Sequence, residues 1–272
     1  MRKELAKIEF YFPEGRNGIK NKQRLADSIL DMMRKRGSTA YAGSLDEAGI
    51  YEGIVQHLGD ADISQYKPLS KSQRKEIQKQ IKEIIQKCDN YLPIPVKNYI
   101  FVFPYLPTEK DSAFEGVMGV ARYSCVFHIF LSLDFWSPKA LVDTVAHELN
   151  HTIFYYYHYD DFNNYTLLDE MIIEGLAENF REQVTGGMPT PWAVALAQEE
   201  AFDTLDSVNR LLSSKDNDIH RDILFGNDEY KRWAGYSMGY WIVKELIHKR
   251  PDLSWEKIMK LNSKEILEIA KK

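Results

Sequence analysis

Five consecutive residues, His147-Glu148-Leu149-Asn150-His151, constrain this chain more than any other stretch. Residues four apart on an α-helix stand one turn above each other, so His147 and His151 can turn both imidazoles toward one metal ion, with Glu148 beside them. The plainer alternative is a surface helix with solvated side chains. Val142, Val145, Ala146, Leu149, Ile153 and Phe154 argue against it, because they make nearly the whole segment apolar and therefore buried. Buried polar groups need partners, and a metal satisfies them. A catalytic zinc takes three protein ligands and keeps a fourth position for water, so the two histidines require a third donor downstream.

Twenty-two residues separate His151 from Glu174. Glu170, Glu174 and Glu178 recur at helical spacing within a predicted helix from Leu167 to Val184, which on a plain reading is a charged outer face. Yet Ile173-Glu174-Gly175-Leu176-Ala177 sets one carboxylate inside an apolar run, beside a glycine that lets this helix approach the metal helix. Glu174 is therefore the expected third ligand to one zinc ion. Glu178, one turn on, is expected to accept the second ring N–H of a ligand histidine. Glu148 is the expected general base, taking a proton from the attacking water and passing it to the leaving amine. The oxyanion that develops needs a further donor. Tyr236 and Tyr240 share a face of Trp233-Ala234-Gly235-Tyr236-Ser237-Met238-Gly239-Tyr240, where Gly235 and Gly239 permit tight helix contact. Either tyrosine is a candidate, Tyr236 first because it stands nearer the helix start; packing is the plainer role for both. Gly116-Val117-Met118-Gly119-Val120 reads as a strand just before the metal helix. A peptide adding to it as a further strand would make Gly116, Val117 and Gly119 substrate-binding residues.

Composition narrows the remaining choices. Hydrophobic residues at 44%, charged residues at 28% and a net charge of −5 describe an ordinary globular protein with no basic footprint for nucleic acid or an anionic membrane. No apolar run is long enough for a membrane span, and the first residues lack a signal-peptide core, so a cytoplasmic protein is expected. Cys88 and Cys125 imply neither a disulfide framework nor a thiolate metal site. Residues 1–95 read as a mainly helical section, with one helix through Leu25, Ile29 and Met33, and a second capped by Ser44 and Glu47 that carries an isolated His57. A third helix spans residues 70–92; its lysines and Arg74 read as a solvated face. Residues 96–272 contain strands from Val96 to Phe103 and from Cys125 to Leu133, the latter with a packed His128. Ser137 and Pro138 open the metal helix. Further helices are expected over Trp192–Leu212, Asp228–His248 and briefly from Trp255.

Taken together, H-E-L-N-H, I-I-E-G-L-A-E and R-W-A-G-Y-S-M-G-Y resemble the YjaZ-like family of bacterial zinc-dependent proteases, in the gluzincin group, over roughly residues 70–272. E-G-L-A-E is also similar to the E-G-F-A-E element of zinc aminopeptidases, whose first glutamate binds zinc; that likeness implies Glu174 as ligand over Glu170 and Glu178. The resemblance implies an α+β, zincin-like fold, with a small twisted sheet before the metal helix, a mostly helical lobe after it and a helical section in front. It implies a zinc metallopeptidase acting on a peptide or protein. Two rivals stand beside that expectation: a non-catalytic protein with structural zinc that regulates or chaperones a partner, and a zinc hydrolase of non-peptide amides or esters.

Overall fold

A computed structural model of the chain describes residues 4–12, 22–35, 51, 55, 69–105, 114–132, 135–158 and 164–272. The expected cap at Ser44 and Glu47, and His57, lie outside the described residues. The chain divides into two compact units: residues 1–87 with 94–152, and residues 88–93 with 153–272.

The first unit is built on a four-stranded mixed sheet in the order β1 (Ala6–Phe10), β2 (Asn98–Tyr105), β4 (Val126–Ser132), β3 (Val117–Tyr123). β1, β2 and β4 run parallel, and β3 pairs antiparallel with β4. Ile100, Phe101, Val102 and Phe103 of β2 are all fully buried, as a strand with neighbours on both sides requires. Two expectations are corrected here. Residues 1–95 are not a separate helical section, because β1 pairs with β2 from Ala6 opposite Asn98 to Phe10 opposite Val102. Nor does β2 stop at Pro104: it runs to Tyr105, with Pro104 opposite Leu131 of β4. Pairing with β1 ends at Val102, so the N–H that proline lacks leaves no gap in a second ladder. α1 (Lys22–Lys35) buries Leu25, Ile29 and Met33 at helical spacing. In α2 (Lys71–Tyr91) the buried stripe is Ile77, Ile81, Ile84, Ile85 and Cys88. Burying each such side chain is worth about 1.5–3 kcal/mol.

α3 (Pro138–His158) follows the sheet. Ser137 Oγ accepts from Ala140 N at 3.3 Å, and proline stands at the first helical position, where its missing N–H costs nothing. Leu141, Val145 and Leu149 form its fully buried row. Thr152 donates to Asn98 Oδ1 at 2.9 Å, tying the helix to the start of β2.

The second unit is helical. α4 (Leu167–Thr185) opens on a capping box between Thr166 and Asp169 and closes on Gly186 at φ +72°. After a turn come α5 (Gln198–Ser207), a 3-10 turn (Asn209–Leu211), α6 (Asn217–Phe225), α7 (Ala234–Lys249), α8 (Trp255–Ile258) and α9 (Ser263–Lys271). The expected helix over Trp192–Leu212 shrinks to α5, because residues 191–196 turn. The one expected from Asp228 begins only at Ala234, after Trp233 in the left-handed region. α6 and α9 were not anticipated, although Asp216 caps the first and an Asn262–Glu265 box the second. α4 and α7 touch glycine to glycine: a Cβ on Gly175 would stand 2.1 Å from Gly239 O, and one on Gly239 would stand 1.8 Å from Met171 O. Gly175 thus serves the contact with α7, a correction to the expected approach toward the metal helix. Asn179 Nδ2 bridges the same pair, donating to Gly175 O at 2.9 Å and Tyr240 O at 3.0 Å. The protein is therefore a mixed α+β chain, mostly helical with one small sheet. Among the described residues no helix is long and apolar enough to cross a membrane.

Candidate metal centre

α3 presents its two histidines as the spacing requires. His147 is half-buried and His151 is 5% exposed. Their Nε2 atoms lie 3.0 Å apart, with ring centroids at 4.6 Å and planes at 86°. Two nitrogens on a tetrahedral zinc, each at ~2.0–2.1 Å, stand roughly 3.3 Å apart, so this pair needs only a few tenths of an ångström to share one ion. Glu174 joins them: the ligand atoms of His147, His151 and Glu174 all lie within 4.8 Å of one another. Two imidazole nitrogens and one carboxylate oxygen form a donor set suited to zinc. The residues present fit the ion.

Glu148 follows His147 on α3 and is 6% exposed. It lies under β3: a Cβ on Gly119 would stand 2.4 Å from Glu148 Cγ, 2.6 Å from its Oε1 and 2.6 Å from Thr144 Cγ2. A glycine at 119 is what lets the strand backbone rest on the carboxylate. β3 is an edge strand among the described residues, paired only with β4. The other two residues singled out on this strand serve the fold. Gly116 sits in the turn before β3 at φ +78°, where a Cβ would stand 1.9 Å from Phe135 O. Val117 is 2% exposed, so its side chain faces the core.

Glu178 is 3% exposed, and its Oε1 accepts from Thr190 N at 2.9 Å and from the guanidinium of Arg181, itself 1% exposed. Arg181 also donates to Met188 O at 2.9 Å. The sequence pointed Glu178 toward a histidine ring; it missed Arg181, because an arginine three residues on reads as one more surface charge. Tyr240 is 2% exposed and donates to Glu182 Oε2 at 2.8 Å, while Lys244 holds Glu182 Oε1 at 2.8 Å. Burial, then the hydrogen bond to Glu182, pushes the phenol pKa well above its ordinary value. In this structure that hydroxyl is given to Glu182. Tyr236 is half-buried, its ring edge-on to Phe225 at 5.8 Å.

Two further polar groups resolve into packing. His128 sits among Phe101, Phe103 and Phe130, at centroid distances of 5.7, 5.3 and 6.4 Å. Glu170 pairs with His220 Nδ1 at 3.2 Å. His220 is 4% exposed and its Nε2 donates to Ser214 O at 2.7 Å, so a buried imidazole joins a partly exposed carboxylate to the backbone, which sequence spacing did not reveal.

No solved structure matches the chain. It is 23% identical over 146 residues to "Uncharacterized protein YjfC" of Bacillus subtilis (strain 168), a match covering 50% of this chain and 49% of that protein. The chain thus spans about half the length of the curated relative it matches. A family described as "Predicted Zn-dependent protease (DUF2268)" matches residues 75–268, a stretch holding both histidines, Glu148, Glu174 and both tyrosines. The chain belongs to that family.

Proposed function

We propose that this protein is a zinc-dependent peptidase in which His147, His151 and Glu174 hold one zinc ion. The observation that carries the reading is the three-residue donor group with its ligand atoms within 4.8 Å, two of its members on a helix that also carries Glu148. Zinc held there supplies Lewis acidity and brings the pKa of a water toward neutrality. Glu148 takes the proton of the attacking water and delivers it to the leaving amine. Its low exposure keeps bulk water from competing for that proton. Tyr236 donates its phenol hydrogen to the carbonyl oxygen as charge grows there. The substrate backbone lies along β3, where the absent side chain of Gly119 brings an added strand close to Glu148. Among the residues first considered there, Gly119 carries this role; Gly116 and Val117 shape the strand. Glu178, gripped by Arg181 and Thr190, stiffens the turn of α4 that follows Glu174.

Metal analysis of the purified protein tests the reading, together with cleavage of a mixed-sequence peptide library by wild type, His147→Ala and Glu148→Gln. The expected result is one zinc per chain, lost in His147→Ala and kept in Glu148→Gln, with cleavage by wild type alone. Full zinc retention in His147→Ala would overturn the ligand set. Wild-type cleavage by Glu148→Gln would overturn the base.

A further inference from the structure

Phe225 ends α6 and is 53% exposed, a large apolar residue left partly in water. That ring meets Tyr236 edge-on, with centroids 5.8 Å apart and planes at 65°. Aromatic pairs at this separation and angle attract one another beyond simple burial. Backbone packing fixes both ends of the contact. Beside Phe225, Gly226 takes φ +87°, and a Cβ there would stand 2.5 Å from Arg232 Cα. Beside Tyr236, Gly235 leaves room for Leu224, whose Cδ2 would lie 2.8 Å from a Cβ. The exposed ring is thus held at a set place beside Tyr236.

The chain entering α7 is also strained. Trp233 adopts φ 64°, ψ 22°, a left-handed conformation that costs a bulky residue about 1–3 kcal/mol. The Arg232 guanidinium lies over its ring at 4.1 Å, and Trp192 meets it at 6.3 Å. Ser237 anchors this corner, donating to Trp192 O at 3.0 Å and accepting from Leu196 N at 3.1 Å. Strain of this kind persists where surrounding contacts over-determine it, and it gathers at ligand clamps and active sites. Here it sets the start of the helix three residues before Tyr236.

We propose that Phe225 is a specificity-determining residue, its exposed face receiving a bulky apolar or aromatic side chain of the substrate close to the bond at which Tyr236 acts. The proposal rests on the peptidase reading and on the role given to Tyr236. A half-exposed aromatic ring held by its neighbours accepts an apolar side chain with little loss of its own freedom.

The test compares two peptides identical except for phenylalanine or alanine beside the cleaved bond, with kcat and KM measured for wild type, Phe225→Ala and Phe225→Trp. Zinc content, melting temperature and oligomeric mass are read alongside. Wild type should favour the phenylalanine peptide. Phe225→Ala should lose on the order of ten- to a hundred-fold of that preference, mainly in KM, and Phe225→Trp should keep it. Equal preference in wild type and Phe225→Ala overturns the proposal, as does equal slowing of both peptides or a change in oligomeric mass. Calorimetric binding of both peptides to Glu148→Gln, with and without Phe225→Ala, separates the two levels. Discriminating binding without wild-type cleavage keeps the subsite and removes the peptidase reading, whereas cleavage without discrimination does the reverse. Absence of both removes both.

Discussion

Glu148 is confined from above by a strand with no side chain over it, and substitutions at this point have different consequences. Glu148→Gln keeps the shape and removes the basicity, so turnover should fall on the order of a hundred- to ten-thousand-fold while bound zinc is unchanged. Gly119→Ala adds a methyl group within 2.4 Å of Glu148 Cγ and 2.6 Å of Thr144 Cγ2, neither of them the loose end of a long side chain. Overpacking of this sort costs about 1–3 kcal/mol. Gly119→Ala should therefore lower the melting temperature and depress kcat as well as raise KM, in steady-state kinetics with zinc measured in parallel. An effect on KM alone would mean that the strand yields and Glu148 does not. The two tyrosines separate just as cleanly. Tyr236→Phe should lose about a hundred- to a thousand-fold in kcat with an unchanged melting temperature. Tyr240→Phe deprives half-buried Glu182 of one donor while Lys244 remains, and should cost about 0.5–1.5 kcal/mol of stability with little effect on kcat. In the sequence only position along the helix favours Tyr236 over Tyr240, because both stand on one face beside a glycine. Glu182, one turn beyond Glu178, distinguishes them, and that contact spans 58 residues of chain.

At the scale of elements, α4 does two jobs with neighbouring residues. Glu174 faces the donor group, while Gly175, about 100° further round the helix, lies against Gly239 of α7. Gly239→Ala would drive a Cβ to 1.8 Å from a backbone oxygen of α4, and no side-chain rotation relieves that overlap. Thermal melts should show a loss larger than the about 1–3 kcal/mol of ordinary overpacking. The Glu178–Arg181 pair behaves differently. Arg181→Met alone strands a buried carboxylate and should cost about 3–5 kcal/mol, whereas adding Glu178→Leu should recover much of the loss, as a double-mutant cycle would read. α3 and α4 were legible in the sequence because Ser137-Pro138 opens the one and Gly186 closes the other. α6 and α9 carry comparable signals in Asp216 and Asn262, yet at nine residues each they are too short for an apolar period to declare itself. What α4 touches was not legible, because a glycine states that something comes close without saying what.

For the whole molecule, zinc held by the proposed donor group would be a ligand of the folded chain alone and should stabilise it by mass action. At a hundred times its dissociation constant the gain is about 2.7 kcal/mol, on the order of 5–10 °C in melting temperature for a chain of this size. A chelator should lower the melting temperature by that amount and added zinc restore it; His147→Ala should show no such response. The histidine pair was the most legible part of the donor group, since four-residue spacing on a helix dictates it locally. β1 was the least legible. Ala6-Lys7-Ile8-Glu9-Phe10 alternates for only five residues, and its partner β2 begins about ninety residues later. The family match starts at residue 75 and leaves β1 out, yet Tyr11, just past that strand, stacks on Phe103 at 5.4 Å and donates its N–H to Val102 O at 2.9 Å. A chain trimmed to the matched segment would bare one whole edge of β2. The same separation acts during synthesis. At about 5–20 residues per second β1 emerges roughly 5–20 s before its partner is complete. For that interval the nascent chain carries a ready strand with nothing to pair with, so a translational pause between the two strands would lengthen the time it is open to chaperones or to a neighbouring chain.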